Sequence, residues 1–273
     1  MPYELIPLGA VGAKLAYDVL GPPAKSTGKQ LAKISDSAAR NLKRVLDATK
    51  AKMKALGKTQ GKIPSRVLVP LLQQACVCED VIQVSYLGGV WASACTEIPR
   101  DDRAVSYLAM IESLSTYQIR THAIMYSCIL RIPEKAFQKA RKHILRGDAT
   151  VILREEDYLK AMDFNRKEQP DIISHHAFIG LEQKGLSFKG ERELVPHPKV
   201  SYSDVTTFQQ GSLKEVKSFR YFYPTPLGID LFLWGIGIGD KGLAAYEPDL
   251  LDALSFPFEV TPYQVSYGQT TYG

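Results

Sequence analysis

Aromatic residues are missing from one long stretch of this chain, and cysteine, histidine and tryptophan are sparse throughout. Between Lys25 and Lys62 there is no Phe, Tyr or Trp, although lysine and arginine crowd the same stretch. A surface built from it offers bases nothing to stack on, which excludes an aromatic platform for single strands. The four cysteines, Cys76, Cys78, Cys95 and Cys128, all fall in apolar helical segments. Cys76-Val-Cys78 is too closely spaced for a tetrahedral zinc site and has no Cys/His partner motif nearby. Reduced, buried thiols are expected, with no metal and no cofactor. No uncharged apolar run approaches the ~20 residues that a membrane helix needs. Glu4 stands early and no basic n-region precedes an apolar stretch, so no signal peptide is expected and the cytoplasm is the expected compartment.

Catalytic motifs are equally thin. Gly57-Lys-Thr-Gln-Gly-Lys62 has the wrong glycine spacing for a phosphate loop, and Ile63 stands where a hydroxyl residue would hold Mg²⁺. Gly28-Lys29 is followed by Gln30 and fails the same test. Gly237, Gly239 and Gly242 spell G-x-G-x-x-G, but a capped helix, not a strand, is expected before them. His175 and His176 are adjacent and point to different helix faces, which suits no shared ion. One catalytic pattern survives. Pro170-Asp171 followed by Glu182-Gln-Lys184 matches the Pro-Asp…Glu-x-Lys arrangement of Mg²⁺-dependent nucleases. In that chemistry the two carboxylates hold the ion, and Lys184 activates water or steadies the phosphate. The pattern requires a strand through Phe178 leading to Glu182.

What the chain does have is uneven charge. Positions 1–75 hold thirteen Lys and Arg against four acids, +9 in a chain whose total is +5. Lys43, Arg44, Lys50, Lys52, Lys54, Lys58 and Lys62, with Lys184 far downstream, are the candidate nucleic-acid or polyanion contacts. A membrane surface or a merely solvated helix face fits the same composition.

Apolar spacing reads as helix over most of the chain. A short helix, divided by Pro22-Pro23 from a long one, is followed by a block in which Pro70 fits a first turn and Glu79-Asp80 opens the next helix. In that helix Val84, Leu87, Trp91 and Ala94 share a face, and Trp91 is expected to be buried. Gly88-Gly89 and Ala92-Ser93 make a strip of small residues that lets another helix approach closely. Further on, Ser115 or Thr116 caps a helix, Pro133 begins one that Gly147 ends, and 155–162 and 171–184 read as two more. Gly185 suits a left-handed cap with Leu186 as its apolar contact. Residues 187–215 read as polar and turn-rich, Val216 to Tyr223 as β, and Thr225-Pro226 as a helix start.

Several of these runs resemble the abortive-infection alpha (Abi-alpha) family of bacterial phage-defence proteins. The match lies in Ile63-Pro64, Pro70-Leu71-Leu72, Glu79-Asp80 and Trp91-Ala-Ser-Ala94, with a polar break over 96–102. Upstream, 16–28 is similar to the family's N-terminal entry, and Leu181-Glu-Gln-Lys-Gly-Leu186 and Thr225-Pro-Leu-Gly228 to its C-terminal elements. The resemblance spans about positions 10–240 and rests on short, mostly structural motifs. It implies a non-enzymatic antiphage protein that binds a phage or host macromolecule, nucleic acid or protein. A DNA-binding regulator and the Mg²⁺-dependent nuclease remain alternatives, and a homo-oligomer is compatible with each. The expected fold is mainly α. A basic helical region (1–100) precedes a winged-helix-like part with a small β element (101–246) and a C-terminal tail (247–273).

Overall fold

In a computed structural model of the protein, residues 28–58, 61–98, 100–193, 219–246 and 256–267 are described. The expected short helix before Pro22 lies outside them. The chain forms two compact units: Met1–Glu112 with Gly235–Asp240, and Ser113–Trp234 with Lys241–Gly273.

The first unit is built on α1 (Gly28–Ala55), α2 (Ser65–Val77), α3 (Val81–Ala94) and α4 (Ala104–Glu112). Along α1 the buried positions Ala38, Leu42, Val45, Thr49 and Lys52 alternate steps of four and three, so one stripe faces inward. Asp80 caps α3, its carboxylate accepting from the N–H groups of Ile82 and Gln83. The small-residue strip on α3 does what its composition implies. A Cβ added at Gly88 would lie 2.9 Å from the Ala48 Cβ on α1, and one at Gly89 would fall on the Gly235 carbonyl. The closest approach thus belongs to the glycines, and Trp91, expected in the buried interface, is half-buried. Pro70 lies inside α2 rather than in a first turn, and the helix carries through it at the loss of one backbone hydrogen bond.

α4 packs on α2 and α3, burying Ala104, Leu108 and Ile111, and the Gln74 amide donates to the Leu108 carbonyl at 3.0 Å. The division of the chain therefore falls after Glu112, not near residue 100.

The second unit runs α5 (Thr116–Ile129), α6 (Glu134–Arg146), β1 (Ala149–Arg154), α7 (Glu155–Met162), α8 (Pro170–Gln183), β2 (Ser187–Glu193), β3 (Phe219–Pro224) and α9 (Pro226–Ile236). A last strand, β4 (Gln264–Tyr267), completes an antiparallel sheet in the order β2-β3-β1-β4. Of these strands only β3 was expected. β1 buries Ala149, Val151 and Leu153 on alternate positions. β2 reads as polar loop because it is the sheet's edge, where charge is favoured over apolar residues. β4 comes from the expected tail, so Phe256–Tyr267 belongs to this unit's core rather than to a separate element.

α5 is the central helix, with every residue from Gln118 to Ile129 buried except Arg120. Ser115 is its cap, in a reciprocal pair with Gln118. Its Tyr126 joins three segments. The hydroxyl donates to the Leu186 carbonyl (2.6 Å) and accepts from the Thr225 N–H (3.0 Å), while its own carbonyl accepts from the Tyr246 hydroxyl.

Candidate macromolecule-binding surfaces

The basic residues of the first unit separate into two groups once α1 is folded. Arg40, Lys43, Arg44, Lys50 and Lys54 are exposed on its outer face, together with Asp36 and Asp47. Lys43 pairs with Asp47 at 2.6 Å across one turn, and this hydrogen bond holds the Asp47 carboxyl below its ordinary range. Arg44 donates to the Glu79 carbonyl at 2.9 Å.

Two expected contacts are not surface groups. Lys52 lies on the inward stripe and is buried, and desolvation pushes its amine down to about 8. Lys58 is mostly covered, its ammonium 2.5 Å from the Asp240 carboxylate and 3.4 Å from the Ala92 carbonyl. Lys62 is exposed, with its backbone bridged to Thr96. The period of α1 carried the signal for Lys52, since 45, 49 and 52 continue the stripe begun at Ala38 and Leu42.

In the second unit the candidate residues gather on α8, but not as a metal site. Asp171 and Glu182 lie on one continuous helix, eleven residues apart, which is about 16 Å along its axis. The helix read over 171–184 is present, and Phe178 lies in it rather than in the strand that the nuclease pattern requires, so the two carboxylates do not converge on one ion. Among the described residues, no group of three or more His, Cys, Asp or Glu side chains is placed to hold a metal. Lys184 is the half-buried C-cap. Gly185 (φ 67°) and Leu186 then close the helix: the Gly185 N–H bonds the Glu182 carbonyl and the Leu186 N–H the Leu181 carbonyl.

The outward face of α8 carries Ile172, His175, His176, Ile179 and Gln183, with Asp171 and Glu182 along one edge. Ile172 is 65% and Ile179 38% exposed. His176 Nε2 lies 3.4 Å from Ser115 Oγ and 3.5 Å from Gln118 Nε2 at the start of α5. Ser115 Oγ is engaged in the capping box with the Gln118 N–H, which is a structural role for this hydroxyl.

A buried ion pair sets how α8 is held, and sequence patterning did not reveal it. Arg220 on β3 donates to Glu155 at the start of α7 (2.8 Å), and both side chains are buried. The guanidinium lies over the rings of Tyr158 on α7 (4.8 Å) and Phe178 on α8 (5.4 Å). One side chain thus ties both helices to the sheet. From α5, Arg120 donates to the Ala161 carbonyl at 2.8 Å, and the Tyr117 hydroxyl donates to Glu168 in the α7–α8 connection. That bond raises the Tyr117 hydroxyl's pKa and lowers the Glu168 carboxyl's.

The remaining motifs have structural roles. Gly237, Gly239 and Gly242 follow helix α9 instead of a strand, and the Gly239 N–H donates to Ser93 Oγ. Burial pushes the Cys78 thiol up to about 12 and raises Cys128 as well, which makes both poor nucleophiles. His122 on α5 is buried against Tyr126, 3.1 Å from the Gly228 carbonyl, and desolvation lowers it to about 3. No family model, curated protein or solved structure matches the chain. Among the described residues, no helix is long and apolar enough to cross a membrane.

Proposed function

We propose that the protein is a non-enzymatic component of bacterial antiphage defence, acting in the cytoplasm by binding a phage or host macromolecule through its second unit. The motif resemblance to the Abi-alpha family motivates the defence role. The observation that carries the binding role is α8: an exposed face with two isoleucines, held on a sheet by a buried ion pair. The succession α6–β1–α7–α8–β2–β3, with β3 between β2 and β1, supports reading 134–224 as a winged-helix-like module. In that reading α8 is the recognition helix.

A protein partner fits α8 better than DNA. Phosphate contacts come chiefly from lysine and arginine, and α8 contains neither. The cations that flank it in the sequence are Arg166 and Lys167 before it and the half-buried Lys184 after it. The exposed cations of α1 support polyanion binding as a second, separate property of the first unit.

The test is phage challenge of bacteria expressing the chain. Wild type protects, and Ile172→Asp with Ile179→Asp abolishes protection while the purified variant keeps its melting temperature. Asp171→Ala or Glu182→Ala alone retains most protection, since an exposed charge contributes about 0–1 kcal/mol. Mg²⁺-dependent cleavage of DNA or RNA by wild type, lost in either alanine variant, would establish the nuclease instead.

A further inference from the structure

We infer that the outer ridge of α6 is a contact for the phosphate backbone of duplex DNA, separate from the faces of α8 and α1. Lys135, Lys139, Lys142 and Arg146 are all exposed and recur at steps of four, three and four. At about 100° per residue they fall within an arc of about 60°, so they form one row about 16 Å long. The row lies opposite Phe137, Ala140 and Ile144, the stripe buried where α6 packs on β1, β3 and β4. No carboxylate interrupts it. Glu134 lies to one side, where its Oε1 accepts from the Gln138 amide at 2.7 Å. Asp148, beyond the helix, pairs with His143 at 3.1 Å. Among the described residues, no acid forms an ion pair with any of the four cations.

Such a row works against the helix that carries it. Lys135–Lys139, Lys139–Lys142 and Lys142–Arg146 are like-charge neighbours three or four positions apart, and each pair disfavours the helix. On α1, by contrast, Asp36 and Asp47 stand among the exposed cations, and Lys43 pairs with Asp47. An anionic partner relieves all three repulsions at once. The side chains of the ridge select a phosphate backbone among anions. No large apolar side chain of α6 is exposed to enter a bilayer, because its apolar stripe is committed to the core. It presents no exposed aromatic residue to anchor a protein interface or to stack on unpaired bases. Lysine and arginine alone suit sequence-independent contacts to phosphates. These advance about 3.4 Å per nucleotide along one strand, so the row runs beside about five of them. Recognition of duplex RNA rests on the 2′-hydroxyl, and the amide nearest the row, Gln138, is already bonded to Glu134.

The full chain would be titrated with a labelled DNA duplex of arbitrary sequence, read by fluorescence anisotropy over about 50–200 mM salt. Replacing Lys135, Lys139, Lys142 and Arg146 together by Gln lowers affinity more than about tenfold and flattens the log–log salt slope by about 3.6, about 0.9 per contact. Lys139→Gln alone flattens it by about 0.9, and Lys139→Arg, which keeps the charge, leaves it unchanged. With the like-charge pairs gone, the fourfold variant melts at the wild-type temperature or above, so lost binding is not lost fold. Should it melt lower, the two Lys139 variants decide. Arg166→Gln with Lys167→Gln removes charge elsewhere in the same unit and leaves the slope as in wild type. No binding of the duplex by wild type, an unchanged slope in the fourfold variant, or a matching loss from Arg166 and Lys167 would each overturn the contact. So would tighter binding of duplex RNA, phosphatidylserine vesicles or polyglutamate than of duplex DNA.

Discussion

Lys52 and His122 show how burial changes what a polar residue means. In the sequence Lys52 is one cation among many, yet folding turns it into the core while Lys50 and Lys54 face out. Replacing Lys50 and Lys54 by Glu is therefore expected to lower affinity for duplex DNA several-fold and to reduce its salt slope by about two. Lys52→Met leaves both unchanged. Fluorescence titrations at two salt concentrations check this, and equal effects from all three positions would show that the α1 face is not the contact. His122 gives a pH signature. Its folded-state pKa of about 3 lies below the ordinary value, so between about pH 6.5 and 3 the unfolded chain binds more protons. Its contribution is fully present above pH 6.5 and is lost as pH falls. From pH 7 to 5 it costs about 2 kcal/mol of stability. Urea titrations should show that share of the acid loss disappearing in His122→Gln.

Among the elements, α8 ends where local chemistry ends it. Gly185 holds φ at 67°, and a Cβ there would meet nothing closer than Leu227 at 4.0 Å. Gly185→Ala is thus expected to cost only the left-handed backbone strain, about 1–2 kcal/mol, read as a lowered melting temperature with unchanged spectra. No change in melting would mean that the Gly185 turn carries no strain. α3 depends instead on its surroundings. Its capping by Asp80 is local, but its burial on nearly every side exists only because Gly88 and Gly89 let α1 and the 235–240 segment approach. The indole of Trp91 consequently contributes less to that contact than its size implies.

For the whole molecule, the C-terminal segment is structural. Phe258, Val260, Tyr263 and Val265 are buried in the second unit, and the Tyr263 N–H donates to the Ile152 carbonyl at 2.8 Å. Each such side chain contributes about 1.5–3 kcal/mol, against a total stability of about 5–15 kcal/mol. Truncation after residue 255 should unfold the second unit or leave β1 as an open edge that aggregates. Thermal melting and size-exclusion chromatography would show it; a soluble truncation melting like the full chain would assign the stability elsewhere.

Sequence alone determined the mainly helical class, the helix starts at Glu79-Asp80, Ser115 and Thr225, the Gly185 stop and the close approach along Gly88-Gly89. Each of these depends on neighbours a few residues away or on the size of a side chain. Tertiary structure decided which strands pair, where the units divide, that Lys52 turns inward and that Arg220 meets Glu155 across 65 positions. It also decided that Asp171 and Glu182 lie far apart on one helix instead of at one ion. Strand pairing and buried charge are set by groups distant in the chain, and polar edge strands such as β2 carry no periodic apolar signal by which to find them.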